Sequence, residues 1–329
     1  MEIFSTLSTL FVLPLVMRHS LTSALKMTTN NLTILSALEQ GAHTLKRAWE
    51  GVYFDAPPNA KFDTQVLLCA ILHKPAAYLF AHGGDQLSEE QTLAFFMAIE
   101  RRSKHEPVAL ITSEKAFFGR DFHVTKDTLI PRPETEVLIE TVLPLITPST
   151  LVIDVGTGSG AISITLACES EAPVVATDIS LNALEVAKRN ALRHGVTDHI
   201  SFLQGNLLLP FFPVFAQWPP HFPVDHLLVC ANLPYLTTHQ WEALDPNVKN
   251  FEPRTALVGG YTGLELYDEL LMQIKAKRSS LPKNITLACE IDPAQKDKLP
   301  KIIHAHFPAA GIVILYDLAR LPRLVLATL

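Results

Sequence analysis

Leu151-Val-Ile-Asp-Val-Gly-Thr-Gly-Ser-Gly160, running on into Ala161-Ile-Ser-Ile-Thr-Leu-Ala-Cys168, is the stretch whose reading settles the fold class. An apolar run short enough for a buried strand gives way to three spaced glycines and then to an apolar segment of helical length. Glycines there let the backbone approach a ligand closely, and the following helix offers the positive end of its dipole. Asp178 closes the next apolar run about 20 residues on, where a carboxylate accepts both hydroxyls of a ribose. Glycine loop and carboxylate together predict an adenosine-type ligand, a description that NAD also satisfies.

Outward from this core, short apolar runs alternate with longer amphipathic segments, which predicts an α/β domain with a mostly parallel sheet. Strands are expected at Leu151–Val155, Val174–Thr177, Ile200–Gln204, His226–Ala231, Ile285–Glu290, Ile312–Tyr316 and Arg323–Ala327. One helix starts after Ser180 and stops at Gly195. The proline- and aromatic-rich stretch Pro210–Pro223 has no period and is expected as an extended surface loop. Before the glycine loop the pattern differs. Residues 31–105 read as a helical domain, with starts at Asp63 and at the Ser88/Gln91 capping box. Residues 106–128 read as a hairpin or linker, and 129–329 as the α/β domain. Residues 1–30 are an extension: either an organelle-targeting segment or the product of an upstream start, with Met27 as the true beginning.

With 329 residues, 48% of them hydrophobic, the chain can bury a large core, and its formal net charge of −6 does not advertise a nucleic-acid surface. The run Ile3–Met17 lacks a basic leader and is too short for a membrane span, which needs roughly 20 apolar residues. No membrane association is expected, and the expected location is the cytoplasm, or an organelle if residues 1–26 are a targeting segment. Cys69, Cys168, Cys230 and Cys289 are far apart in apolar stretches and read as reduced core residues. His304 and His306 have no suitably spaced partner, so no metal site is expected. A monomer suffices for everything the sequence contains.

Three motifs carry the chemistry. Ala231-Asn-Leu-Pro-Tyr-Leu236 stands at the end of the fourth strand, in the ligand crevice of a parallel sheet. An amide nitrogen is a poor nucleophile, but if the Asn232 carbonyl and a backbone carbonyl of this loop accept its two hydrogens, its lone pair is aimed at a methyl donor. Tyr235 can then stack on the planar group. No general base is needed first, because the proton can leave afterwards. This reading favours S-adenosyl-L-methionine over NAD. Leu129-Ile-Pro-Arg-Pro-Glu-Thr-Glu136 reads as a well-made helix start, or as a segment covering the cofactor from the domain junction, with Arg132 and Glu134 on the substrate side. Phe251–Leu270, with Pro253, Arg254 and three glycines, is a substrate-side wall or a plain loop.

These motifs together resemble the HemK/PrmC methyltransferases, which modify the glutamine of the Gly-Gly-Gln motif in class 1 peptide-chain release factors. The resemblance runs from about Leu32 to the C-terminus and also includes HEPVALIT, FFGRDFHV, TDIS, EPRTALVGG and DLARLPRLVLA. It implies a Rossmann-like class I methyltransferase domain behind a small helical domain that docks the release factor. It further implies cofactor contacts at Gly156, Thr157, Gly158, Ser159, Gly160, Asp178 and Asn232, adenine-side contacts at Asn206 and Leu207, and a substrate glutamine held by Asn232, Leu233, Pro234 and Tyr235. Two positions depart from the family pattern: Leu233 replaces a usual proline, and Ser113 stands where glycine is usual. Competing readings are methylation of an exocyclic amine in nucleic acid, which the acidity disfavours, a cofactor-binding module without catalysis, and, more weakly, a nicotinamide-dependent dehydrogenase.

Overall fold

The computed structural model describes residues 32–52, 59–218 and 223–329; the N-terminal extension and residues 219–222 of the Pro210–Pro223 stretch lie outside them. The chain divides into two units, up to Ile111 and from Thr112 onward.

The first unit is helical, with helices Ile34–Trp49, Ala60–Leu72, Ala76–Ala81 and Glu89–Ser103. Their apolar faces meet in a core containing Leu45, Leu68, Phe95 and Ile99, all essentially inaccessible. The capping box forms as its spacing predicts: the Ser88 hydroxyl accepts from the Gln91 backbone N–H at 3.1 Å, and the Gln91 side-chain Oε1 from the Ser88 N–H at 2.9 Å. The second helix, however, starts earlier than expected. Its cap is Asn59, whose side-chain oxygen accepts from the Phe62 N–H at 3.1 Å. Asp63 instead lies in the first turn and pairs at 2.8 Å with the buried Arg102, whose guanidinium also stacks 4.5 Å from the Trp49 ring. A buried cation must be paired, and that tertiary demand fixes the place of Asp63.

The second unit opens with a hairpin of β1 (Glu114–Phe117) and β2 (Arg120–His123). A seven-stranded sheet follows, made of β3 (Thr150–Val155), β4 (Val174–Asp178), β5 (Ile200–Gln204), β6 (His226–Ala231), β9 (Asn284–Glu290), β10 (Gly311–Tyr316) and β11 (Pro322–Thr328). Its order is β10-β11-β9-β6-β3-β4-β5, with β11 antiparallel to both neighbours and the other pairings parallel. A short parallel pair, β7 (Leu236–Thr237) with β8 (Val258–Gly260), stands apart. Each strand of the large sheet lies within a residue of its predicted span. Because helices cover both faces, β3 is buried along its whole length. Each such Val, Leu or Ile contributes about 1.5–3 kcal/mol.

The strand order positions the site. The chain moves outward from β3 to β5, then returns across β3 to begin β6. Loops leaving the carboxyl ends of β3 and β6 therefore diverge, and a crevice opens between them. Two further expectations need correction. Pro210–Pro223 is not simply an extended surface loop: Phe211–Phe215 is helical, and Phe211 is completely buried against the sheet core. One turn and a half is too short to show a period, so only packing reveals it. All four cysteines are free thiols, but Cys69 and Cys168 are half-buried, and only Cys230 and Cys289 lie in the core. No helix among the described residues is long and apolar enough to cross a membrane.

Candidate active site

The glycine loop is fixed from beneath. Asp154, the fourth residue of the quoted stretch, is fully buried, and its Oδ2 accepts from the Thr157 hydroxyl at 2.6 Å and from the Ser163 N–H at 3.0 Å. Burial pushes its carboxyl up to about 6 against the pull of those hydrogen bonds. The Gly156 and Thr157 N–H groups both donate to the Thr177 carbonyl at 2.9 Å, tying the loop to β4. Gly156, Gly158 and Gly160 all have φ in the left-handed region, and a Cβ at Gly160 would come within 2.5 Å of Ile164. From the next helix, Leu181–Arg193, the buried Asn190 donates to the Ser159 carbonyl at 2.8 Å and bonds both backbone groups of His123 on β2.

Above this loop lies a cavity of about 350 Å³, a volume usual for small-molecule sites. Of the residues singled out in the sequence, Gly156, Thr157, Gly158, Ser159, Asp178, Asn206 and Leu207 line it on one side, and Arg132, Asn232, Leu233 and Pro234 on the other. Gly160 sits just behind, as the N-cap of the helix Ala161–Glu169. Tyr235 and Glu134 are not in the cavity wall. Asp178 accepts through Oδ1 from the Ser180 N–H at 2.8 Å and through Oδ2 from the Gly158 N–H at 2.9 Å; burial nevertheless raises its carboxyl above the ordinary range. Asn206 donates to Glu269 at 2.6 Å, which fixes the loop after β5.

On the opposite side, the Asn232 carboxamide donates through Nδ2 to the Thr135 hydroxyl at 3.1 Å. Glu290, at the end of β9, lies against the hydroxyls of Thr135 and Tyr235, and burial lifts its carboxyl to about 7. The Arg132 guanidinium is paired with Glu252, whose other oxygen accepts from the Ile130 N–H at 2.9 Å. The segments LIPRPETE and FEPRTALVGG are thus clasped through Glu252, and Pro253, Thr255 and Val258 complete the wall as the sequence reading allowed. Thr135, Glu252 and Glu290 escaped that reading. The rule that selects Asp178, a carboxylate closing a parallel strand, applies equally to Glu290.

Two family models match: the PrmC N-terminal domain over residues 36–112 and a methyltransferase domain over residues 146–212. The release factor glutamine methyltransferase of Bacillus cereus is 34% identical over 269 residues, covering 80% of this chain and 90% of that protein. The chain belongs to the release factor glutamine methyltransferase family. The Nitratidesulfovibrio vulgaris enzyme of the same name is 38% identical over 218 residues, covering 66% and 70%. Among solved structures, the hMettl16 catalytic domain, in complex with an RNA hairpin, matches with 18% identity and a TM-score of 0.49 over 73% of this chain and 81% of that one. At that distance the likeness adds nothing to the strand order already described.

The two departures of this release factor glutamine methyltransferase family member from the usual pattern now have physical accounts. Leu233, unlike a proline, has an N–H, and it donates to the buried Tyr267 hydroxyl at 3.3 Å; that hydroxyl in turn donates to the Glu290 carbonyl. Ser113 has φ of 58°, a left-handed conformation in which glycine avoids the Cβ penalty.

Proposed function

We propose that this chain transfers a methyl group from S-adenosyl-L-methionine to the side-chain amide nitrogen of the glutamine in the Gly-Gly-Gln motif of a class 1 peptide-chain release factor. The observation that carries the reading is that Asn232, with its carboxamide anchored on Thr135, shares one cavity with the glycine loop and Asp178. The names of the relatives supply the substrate class.

The residues present fit an adenosyl cofactor. Asp178 retains lone pairs on both oxygens for ribose hydroxyls, Asn206 and Leu207 flank the adenine side, and a Cβ at Gly158 would project into open space. When bound, the cofactor supplies a methyl group on a positively charged sulfur. The protein's task is to aim the amide nitrogen. Asn232 Oδ1 accepts one amide hydrogen, and a loop carbonyl accepts the other. Pro234's carbonyl is turned onto Gly259, where a Cβ would sit 2.0 Å from the oxygen, and Tyr235's accepts from Gln295 Nε2 at 2.9 Å. The carbonyl left for the substrate is that of Leu233. With both hydrogens held, the nitrogen lone pair points away from Asn232 and Leu233, and alignment supplies the rate. Tyr235 closes the loop beside Glu290, and Arg132 borders the glutamine entry. The helical first unit docks the release factor, and the protein works as a monomer without nucleic acid.

The test is mass spectrometry of the Gly-Gly-Gln peptide after reaction of a release factor with wild-type protein and with Asn232→Ala. One added methyl on the glutamine, lost in the variant, is expected. Methyl label found on nucleic acid, or on a release factor whose motif glutamine is replaced by alanine, overturns the proposal.

A further inference from the structure

An asparagine carboxamide is nearly symmetrical in shape, yet its two ends do opposite things: one donates two hydrogens and the other accepts. A loop that must accept a substrate's amide hydrogens works with Oδ1 toward the cavity and fails with Nδ2 there, because two N–H groups would then face each other. Something outside the loop has to decide the orientation.

We infer that Thr135 and Glu290 act as a positioning pair that sets which end of the Asn232 carboxamide faces the substrate; this rests on the glutamine-methylation reading above. Asn232 Nδ2 donates to Thr135 Oγ1 at 3.1 Å, leaving Oδ1 for a ligand in the cavity that Asn232 lines. A hydroxyl can equally donate, in which case it would draw Oδ1 toward itself and turn Nδ2 to the substrate. Its own proton must therefore be committed elsewhere. The Glu290 carboxyl lies against the Thr135 hydroxyl, and a carboxylate only accepts. With the Thr135 hydroxyl donating to that carboxylate, its oxygen is left as an acceptor, so the polarity passes down the row from Glu290 through Thr135 to Asn232.

The fold holds the three in place independently of any ligand. Ala231 and Cys289 are register partners on the parallel strands β6 and β9, so the residues that follow them, Asn232 and Glu290, leave the sheet side by side. Thr135 ends the short 3-10 turn Pro133–Thr135, in which Pro133 occupies an N-terminal position. Both Thr135 and Glu290 are buried, 4% and 3% exposed, so water competes little for these bonds. The remaining groups facing Glu290 are the Tyr235 hydroxyl, which favours its charge, Arg323 on β11, which also favours it, and Glu134, which opposes it. Glu290 Oε2 has no hydrogen-bond partner among the described residues and is closed to solvent. A buried carboxyl without that partner is costly to stability, which is consistent with retention for the row it polarises.

The test uses the full chain with a release factor as substrate and compares Thr135→Val, Thr135→Ser and Glu290→Gln. Thr135→Val keeps the shape but neither accepts nor donates; kcat should fall about 10- to 100-fold, with KM for the release factor and calorimetric affinity for S-adenosylmethionine within about twofold of wild type. Thr135→Ser restores the hydroxyl and should recover most of the rate. Glu290→Gln, which can donate as well as accept, should lower kcat and remove the fall in rate expected of wild type below about pH 7. The side-chain NH₂ resonances of Asn232 should move in Thr135→Val without added ligand. Full kcat in Thr135→Val, or a loss that Thr135→Ser does not relieve, overturns the positioning role while glutamine methylation by wild type stands. Failure of wild type to methylate the glutamine removes the parent reading instead, and this inference with it.

Discussion

The two loops that face each other across the cavity are held in different ways. The glycine loop is built from its own sequence neighbourhood: Asp154 binds Thr157 and Ser163, three and nine residues away, and the next strand supplies the Thr177 carbonyl. The Asn232–Tyr235 loop is held from afar. Thr135 is 97 residues distant, Tyr267 reaches Leu233 across 34, and Gln295 reaches Tyr235 across 60. The difference suits the tasks proposed for them. An adenosyl group, which carries no phosphate, can be met by backbone and one carboxylate, which a local motif encodes. Orienting an amide requires polar groups at fixed angles, and these come from whichever elements the fold brings close.

The contrast predicts which variants damage which function. The largest effect should come from Gly259→Ala. Its Cβ would stand 2.0 Å from the Pro234 carbonyl oxygen, a backbone atom that cannot swing aside. Displacement of the loop should cost about 100-fold or more in methyl transfer, while calorimetry shows cofactor binding retained; loss of both together would break the comparison. Thr157→Val should act in reverse. It removes a donor from the buried Asp154 carboxylate, should lower stability by about 2–3 kcal/mol, and should weaken cofactor affinity more than it changes kcat at saturating cofactor. Urea melts and calorimetry read the two effects.

A third prediction concerns the cost of holding Glu290 in the interior. Its folded value of about 7 lies above the ordinary 4.5, so the native state holds this proton more tightly than the unfolded chain does. The stability it contributes is complete below about pH 4.5 and is lost as pH rises through about 7. Glu290→Gln does not titrate, so it should gain on wild type between pH 5 and pH 8, by on the order of 3 kcal/mol at most. A stability difference that stays constant across that range would show that the carboxyl is better solvated than its burial implies. The smallest effect is expected at Ser113→Gly, which relieves the left-handed backbone at φ 58°. Thermal melts should show a gain of about 0.5–1 kcal/mol, with methyl transfer unchanged.

The sequence by itself determined the seven strands of the large sheet, because alternation between short buried runs and amphipathic helices is a one-dimensional signal. It likewise determined the glycine loop, Asp178 and the presence of Asn232 at a strand's end, each a motif whose parts lie within a few residues of one another or at a fixed strand-to-strand interval. The reach of Asp63 to Arg102, the burial of Phe211 and the clasp of Arg132 by Glu252 were decided only in three dimensions. So was the withdrawal of Tyr235 from the cavity wall to the side of Glu290. The physical reason is common to all four: a buried charge or ring settles against the partner that satisfies it, and the partner's position depends on how strands and turns pack rather than on spacing along the chain. The surroundings of the Asn232 carboxamide belong to the same class, since Glu290 comes beside it only when β6 and β9 pair and Thr135 reaches it from 97 residues away.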